Sequence, residues 1–182
     1  VQCKRTEDTY TDKTGRSALV VFPGDEYLVM YTGDLDGPCV LSVITLDDID
    51  KSTMEISSVT PDSQQKKGYN QLMRAVAMLI ASVEKKTVKS FIANRVSTYT
   101  LLKQYATTVT DDSREDTTYP SKLSPEEARK VARGGDKRIK IVQLPPTTVN
   151  FNYALEALNK AVVQCAGLKV IMSGSKTDPV YV

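Results

Sequence analysis

The order of patterns between residues 53 and 94 constrains the fold more than any other part of the sequence. A strand-like run, TMEISSV (53–59), ends at Thr60-Pro61, where proline cannot donate a ladder hydrogen bond. A polar loop follows, and then apolar residues recur every three or four positions, which predicts a core-facing helix from Gln71. The apolar positions of that helix are Leu72, Met73, Val76, Leu79, Ile80 and Val83. The next strand-like run, VKSFIAN (88–94), completes a βαβ unit, in which a crossover helix joins parallel strands.

Three further strand-like runs precede this unit and are separated by turn-forming residues. They are SALVVF (17–22), EYLVMYT (26–32) and PCVLSVITL (38–46). Pro23-Gly24 lies between the first two runs and GDLDG (33–37) between the second and third, which is typical of an antiparallel meander. A meander that leads into a βαβ unit predicts an α+β fold, with a mixed, mostly antiparallel sheet flanked by helices.

Beyond the βαβ unit, the sequence predicts a helix and then a stretch of different composition. STYTLLKQYA (97–106) has the pattern of a helix that begins at Ser97. TVTDDSREDTTYPSK (108–122) is charged and poor in large apolar residues, which indicates an exposed loop or insertion. The change in composition divides the chain into a core at 1–106 and, within the same domain, an extension at 107–182.

The rest of the extension carries clear helix and strand signals. A capping box with proline in the first turn opens a helix at Ser124, and Gly134-Gly135 ends it. KRIKIVQL (137–144) and LKVIM (168–172) are strand-like. Between them, a helix has its apolar face marked by Leu155, Leu158, Val162 and Cys165.

Composition excludes several classes of site. The chain has no histidine, which removes Ser-His-Asp triads and histidine-ligated metals. Its three cysteines are far apart and outside any C-x-x-C spacing, so they indicate neither a disulfide framework nor a zinc cluster. We therefore expect no metal site and a reduced, intracellular (cytoplasmic) setting.

Charge and hydropathy narrow the range of partners. The chain has 24 lysines and arginines against 22 aspartates and glutamates, so its net charge of +2 gives no overall attraction to nucleic acid. Only 7% of its residues are aromatic, too few to predict a platform for stacked bases. No apolar run is long enough to cross a bilayer, so we expect a soluble protein without a membrane partner.

The polar loop before the predicted helix raises the question of function. It reads PDSQQKKGYNQL (61–72) and leads into a helix start, where backbone N–H groups lack partners and the helix dipole is positive. Gly68 would let a phosphate approach the backbone, and Lys66 and Lys67 would add positive charge. The loop fits neither the Rossmann nor the P-loop pattern. On composition alone, a solvated loop whose glycine relieves backbone strain remains the alternative.

The loop and the order of elements resemble the GNAT superfamily of N-acetyltransferases. The acetyl-CoA loop of that family reads [QR]-x-x-G-x-[GA], and the matching residues here are Gln65, Lys66, Lys67, Gly68, Tyr69 and Asn70. The preceding ISSVTP looks like the family's strand ending in valine and proline. In IANRVSTYTLLKQY, Asn94 and Ser97 match the family's later N-x-x-[AS] segment. The resemblance covers about residues 26–106.

The resemblance implies acetyl transfer from acetyl-CoA to a small amine or a protein amine. Two splayed parallel strands would hold the pantetheine arm, and the loop amides would bind the pyrophosphate. The backbone near Val59 would polarise the thioester carbonyl. The residues that the resemblance assigns to the cofactor are Val59, Gln65, Lys66, Lys67, Gly68, Tyr69, Asn70 and Asn94.

Two residues are candidates for proton transfer. Glu55 lies four residues before Val59, so strand alternation places both on one face and makes Glu55 the best candidate base. The family's usual tyrosine donor falls on Leu101, and Tyr105 is one turn further along the same helix face. The alternatives are an edge-strand carboxylate for Glu55 and packing against Leu101 for Tyr105. Asn70 also departs from the family's small residue.

Two functional hypotheses from different classes follow. The first is an acetyl-CoA-dependent N-acetyltransferase. The second is a catalytically silent GNAT-like domain that acts as a structural or interaction component of a larger assembly, such as a viral capsid, which would place it in the virion. A basic cluster could bind phosphate or an acidic protein, although nearby acidic residues favour a solvated surface. Its members are Arg129, Lys130, Arg133, Lys137, Arg138 and Lys140.

Overall fold

The fold is described from a computed structural model of the chain. The backbone is described for residues 17–22, 27–32, 39–59, 69–92, 94–111, 115–134, 140–164, 168–175 and 178–181, and side chains within 42–58, 69–92, 94–111, 115–134 and 140–159. These residues form an α+β fold in which strand pairing is mixed and mostly antiparallel. The fold class predicted from the sequence is confirmed.

Ten strands and four helices lie within the described residues. The strands are β1 (Ser17–Phe22), β2 (Tyr27–Thr32), β3 (Cys39–Asp48), β4 (Thr53–Val59), β5 (Thr87–Ile92), β6 (Thr107–Thr110), β7 (Asp116–Tyr119), β8 (Lys140–Leu144), β9 (Leu168–Ser175) and β10 (Asp178–Tyr181). The helices are α1 (Tyr69–Val83), α2 (Arg95–Gln104), α3 (Pro125–Arg133) and α4 (Thr148–Gln164).

The first of two compact units takes its described residues from Val1–Asp47, Ser57–Ala77 and Ala157–Val182. Its strands follow the order β10-β9-β1-β2-β3. β1 pairs antiparallel with β2, and β2 with β3, as predicted for the meander. β9 pairs parallel with β1 and antiparallel with β10. The final strand predicted from residue 168 is thus present, and it adds to the meander at β1.

The second unit contains Asp48–Ile56 and Met78–Glu156, with the strand order β4-β5-β8-β6-β7. β4 and β5 run parallel, with a register from Thr53↔Thr87 to Glu55↔Lys89. The other pairs in this unit are antiparallel. α1 connects β4 to β5 along the chain, so the predicted βαβ order with parallel strands is confirmed.

One face of the second unit's sheet forms the core. On β5 the side chains of Val88 and Ile92 are buried, whereas Phe91 between them is 49% exposed. On β8 the side chains of Val142 and Leu144 are buried in the same way. α2 packs against β5 and against α3. The alternation of buried and accessible side chains is that of a sheet with helices on its apolar face and an opposite face accessible to water.

α1 is buried more completely than an amphipathic surface helix. Every residue from Leu72 to Met78 is buried, including the small residues Ala75 and Ala77. The one charged residue of this run, Arg74, is buried as well, so this part of α1 lies in the interior of the fold. The predicted apolar face is wrong at its far end, because Val83 is 75% exposed at the last helical turn.

The stretch at 108–122, predicted as an exposed loop or insertion, is largely exposed at 115–118 and contains part of a β-hairpin. β6 pairs antiparallel with β7, from Thr107↔Tyr119 to Thr110↔Asp116. The Thr110 hydroxyl donates to the Asp116 carboxylate at 2.6 Å, which supports the pairing near the turn. β7 is largely exposed and occupies the edge of this unit's strand order, so polar threonines suffice where an inner strand needs apolar residues.

α3 is fixed at both ends by side chains. The predicted capping box is confirmed, because the Ser124 hydroxyl accepts from the Glu127 amide and the Glu127 carboxylate accepts from the Ser124 amide. At the other end, the buried Lys140 ammonium donates to the carbonyls of Val131, at 3.1 Å, and Gly134, at 2.6 Å. A cation at a helix C-terminus interacts favourably with the dipole. The sequence had suggested that Lys140 belongs to a basic surface. Its ammonium is instead bound to the end of α3.

The turn after α1 uses a left-handed residue that is not glycine. Lys85 has φ of 56°. The Lys86 amide donates to the Ala81 carbonyl at 2.8 Å and the Lys85 amide to the Ser82 carbonyl at 3.2 Å, which is the bonding pattern of a Schellman motif. A side chain in the left-handed region is disfavoured sterically, and glycine avoids this cost.

Replacing Lys85 with glycine is expected to raise the free energy of unfolding by about 0.5–1 kcal/mol. Urea unfolding followed by circular dichroism would measure the change. Lys51→Gly is the matched control, because Lys51 is exposed and Lys85 is the one described non-glycine residue with positive φ. The control should lower stability slightly through the entropy of the unfolded chain. Equal losses in both variants would contradict the assignment.

Candidate functional site

The loop that the sequence singled out lies mostly outside the described residues. Gln65, Lys66, Lys67 and Gly68 belong to that part of the chain, so their predicted role stays a prediction. α1 begins directly after them, at Tyr69. The first amides of a helix have no intrahelical partners. α1 therefore begins two residues before the predicted start at Gln71, and Tyr69 and Asn70 of the predicted loop belong to the helix.

The first two residues of α1 have different surroundings. Tyr69 is 1% exposed, so its side chain belongs to the core. The Asn70 side chain is part-buried, and its Oδ1 atom is enclosed without a hydrogen-bond partner among the described residues. Asn70 is the second residue of α1 and therefore does not precede the helix as its N-cap. An enclosed acceptor without a partner is uncommon in folded proteins.

β4 carries both Val59 and Glu55. Val59 is the last residue of the strand. The Glu55 side chain is part-buried and has no hydrogen-bond or ion-pair partner within the described part of the chain. Beyond Glu55, a hydrogen bond is described between β4 and β5: the Ser90 hydroxyl donates to the Ile56 carbonyl at 3.4 Å. The Glu55 carboxylate therefore makes no hydrogen bond or ion pair with another described residue.

Glu55 begins a row of polar side chains across the second unit's sheet. It lies opposite Lys89 on β5, which lies opposite Gln143 on β8. Gln143 in turn lies opposite Thr108, whose hydroxyl is 3.1 Å from that of Thr118. Side chains in register share one face of a sheet. The candidate base is thus the first member of a polar row on the face opposite the helices of this unit.

Lys89 adds an aromatic contact to this row. Its ammonium lies 5.1 Å from the centroid of the Phe91 ring, two residues further along β5. A cation over an aromatic ring is held by the ring quadrupole. Lys89 and Phe91 could not be recognised from the sequence as neighbours of Glu55, because their position beside it depends on the register of β4 and β5.

Asn94 caps α2. Its side-chain oxygen accepts from the Val96 amide at 2.8 Å, and its backbone is extended with φ of −104° and ψ of 121°. α2 therefore begins at Arg95, two residues before the Ser97 start predicted from the sequence. This structural role by itself accounts for an asparagine at position 94.

Tyr105 does not lie on a helix face. α2 ends at Gln104, and Tyr105 is its C-cap residue with extended backbone, so the predicted helix to residue 106 is wrong at its end. The Tyr105 side chain is fully buried. The prediction that Tyr105 lies one turn beyond Leu101 assumed that the helix continues to Tyr105, whereas α2 ends at Gln104. The burial of Tyr105 agrees with the packing role that was the alternative for this residue.

A buried polar network in the second unit is centred on Asn150 of α4. This residue has no exposed surface, and its side chain accepts from the Ala106 amide at 2.8 Å. It also donates to the carbonyls of Ala106, at 3.0 Å, and Pro145, at 2.9 Å. Asn150 thus joins the start of α4 to the segment between α2 and β6. No local pattern in the sequence indicates this contact.

The resolved pKa shifts belong to two turns of the second unit. The Ser52 backbone amide, which donates to Asp50 at 2.7 Å, lowers the pKa of that carboxyl. A hydrogen bond to the Asp48 carboxylate at 2.8 Å raises the pKa of Lys86. These interactions hold the two turns that precede β4 and β5, at the end of the pair where both parallel strands begin.

None of the helices in the described part of the chain is long and apolar enough to cross a membrane. The same residues contain no cluster of three or more acidic or cysteine side chains that could hold a metal ion.

Comparison with known proteins gives no assignment. No family of known proteins matches the chain, and no match is found among curated proteins. The candidate site therefore depends on its own residues and on the order of elements around it.

Proposed function

We propose that the chain is a GNAT-like N-acetyltransferase domain, which binds acetyl-CoA at the start of α1 and transfers its acetyl group to an amine. The observation that carries the proposal is the parallel pairing of β4 and β5, joined by a helix that starts directly after the glycine loop. That is the arrangement the sequence resemblance implies. A helix connection is also what parallel neighbours require.

The start of α1 supports the binding of a pyrophosphate. Its first amides lack intrahelical partners and carry the positive end of the helix dipole. Gly68, just before the helix, would leave room for close approach of the phosphate oxygens.

The β4–β5 pair supports the rest of the cofactor site. Its described ladder ends at Glu55↔Lys89, and the next described bond between these strands comes from the Ser90 side chain. In the proposed complex the two strands would splay to hold the pantetheine arm, as the resemblance implies. The amides and carbonyls of such strands could bond to the arm as a third strand would.

Glu55 is the residue that we assign to proton transfer. When bound, acetyl-CoA would supply a thioester whose carbonyl carbon an amine can attack. Glu55, or a water molecule that it holds, would accept the proton that the amine loses. The carboxylate has no described structural partner and is part-buried, both of which suit a general base. Because Tyr105 is buried, we assign no protein donor to the CoA thiolate, which would take a proton from water.

Two features favour the second function, a silent domain in a larger assembly. Tyr105, the candidate proton donor, is fully buried in the core. Asn70 also replaces the small residue of the acetyl-CoA loop and contributes a side chain at the start of α1. A domain that has lost catalysis could retain the fold with both features, and it would show no acetyl transfer to any amine.

The variant Gly68→Val tests the cofactor site. Valine should obstruct the approach of phosphate to the loop backbone, and we expect affinity for acetyl-CoA to fall at least about tenfold, measured by calorimetry. Gly134→Val is the matched control. Gly134 has φ of −67°, and an added Cβ would meet neighbouring carbonyls at an ordinary 3.5 Å. The same affinity in both variants would remove the loop from the site.

A further inference from the structure

A cluster on α2 and α3 combines cations with an aromatic ring. The Lys103 ammonium lies 5.0 Å from the centroid of the Tyr99 ring, and the Arg129 guanidinium carbon lies 5.6 Å from it. Lys103 and Tyr99 belong to α2, whereas Arg129 belongs to α3, so the packing of these helices brings the cluster together. Arg95 lies one turn before Tyr99, on the same side of α2. We call Arg95, Tyr99, Lys103 and Arg129 the Tyr99 surface.

The cations of the Tyr99 surface are not neutralised by described carboxylates. The ion pairs described in the second unit involve Lys86 and Lys122 instead. The Glu127 carboxylate, which is on α3 like Arg129, is engaged in the capping box at Ser124. The positive charge of the Tyr99 surface is therefore available to an external anion.

Contact with Tyr99 prepares the cations for binding. A guanidinium that stacks on a ring keeps its N–H groups, which lie in its plane, free to bond a carboxylate in a bidentate manner. The ring also restricts side chains that would otherwise be mobile at the surface. Arg129 and Lys103 therefore lose part of their side-chain conformational entropy before a partner binds, which lowers the entropy loss on binding.

An exposed apolar residue adjoins this charge. Val96 is 68% exposed, and it precedes Tyr99 by three and Lys103 by seven residues on α2. Residues with this spacing share one stripe of a helix. A partner could therefore place an apolar side chain on Val96 and acidic side chains against the neighbouring cations.

We propose that the Tyr99 surface binds an acidic protein segment that carries at least one apolar residue. The charge requires an anionic partner, and Val96 favours a partner that also has apolar side chains. Nucleic acid fits less well. Single-strand binding uses aromatic faces for stacked bases together with a groove that follows many phosphates, whereas Tyr99 is engaged by two cations and the charge is concentrated around one ring.

The test uses a fluorescent peptide of glutamates with a central leucine and measures its anisotropy with the full chain. Binding should weaken about fivefold in Arg129→Gln. It should weaken similarly in Tyr99→Leu, which leaves the charge unchanged, and Tyr99→Phe should retain binding because it keeps the ring. The control Lys51→Gln removes one charge from an exposed residue outside this surface and should have little effect. Circular dichroism would verify that each variant is folded.

Several results would overturn the proposal. One is that the glutamate peptide does not bind, or that a peptide with glutamine in place of glutamate binds equally well. Another is that Lys51→Gln weakens binding as much as Arg129→Gln, or that a folded Tyr99→Leu binds normally, because then net charge alone would be responsible. Tighter binding of a single-stranded oligonucleotide of equal charge, lost in the same variants, would assign the surface to nucleic acid instead.

Discussion

Replacing Glu55 with glutamine is expected to lower the rate of acetyl transfer about 100-fold. Glutamine keeps the size of the side chain but cannot accept the proton of the amine. Because Glu55 has no described partner to lose, the fold and the affinity for acetyl-CoA should not change. The rate would be measured with a panel of small amines and lysine peptides, and the affinity by calorimetry.

The control for this variant is Glu115→Gln. Glu115 is exposed beside β7 and has no described hydrogen bond or ion pair, so the same chemical change there should leave the rate unaffected. Normal transfer by Glu55→Gln would remove Glu55 from proton transfer. Absence of transfer by the unaltered protein with every amine tested would favour the silent domain.

Replacing Asn150 with alanine is expected to lower the free energy of unfolding by about 3 kcal/mol. The change removes the bonds to the amide and carbonyl of Ala106 and to the Pro145 carbonyl. The buried amide and carbonyl of Ala106 would lose these bonds, which costs more than the loss of an exposed bond, whereas the Pro145 carbonyl would keep its bond from the Thr147 amide. Urea unfolding followed by circular dichroism measures the difference.

Asn152→Ala is the matched control, because Asn152 is exposed on the same helix. Its effect should be within about 0.5 kcal/mol. The variant Asn150→Asp keeps the acceptor for the Ala106 amide but loses both donors, so it should also destabilise the protein. Equal stability of the Asn150 and Asn152 alanine variants would show that the buried network contributes little.

Local patterns predicted the elements that depend on nearby residues. The end of β4 follows from Thr60-Pro61, and the capping box of α3 is visible in four consecutive residues from Ser124. The parallel pairing of β4 and β5 follows from the helix between them. Each of these features is decided within one or two turns or by the length of one connection, so the sequence alone is sufficient.

Features that depend on distant residues could not be predicted in this way. Asn150 bonds to Ala106 across 44 positions of the chain, and its sequence neighbours give no sign of burial. Lys140 looks like part of a basic run until the fold brings it to the end of α3. The β6–β7 hairpin lacks apolar alternation because its second strand lies at an edge and is largely exposed.

The candidate site shows the same limit. Glu55 could be identified from alternation along one strand, whereas its neighbour Lys89 depends on the register between two strands. The direction of Tyr105 could not be predicted, because α2 ends one residue before it and the backbone becomes extended. Asn94 could have been recognised as a helix cap from the sequence, but Ser97 was an equally acceptable start for the helix.

The most direct test of the central claim is amide hydrogen exchange of the unaltered protein with and without saturating acetyl-CoA. The account predicts slower exchange from Lys67 to Asn70 and near Val59, because these amides would bind the cofactor. Exchange in α3 and β7 should not change. Protection confined to α3 and β7, or no protection at Lys67 to Asn70 under saturating acetyl-CoA, would contradict the proposed site.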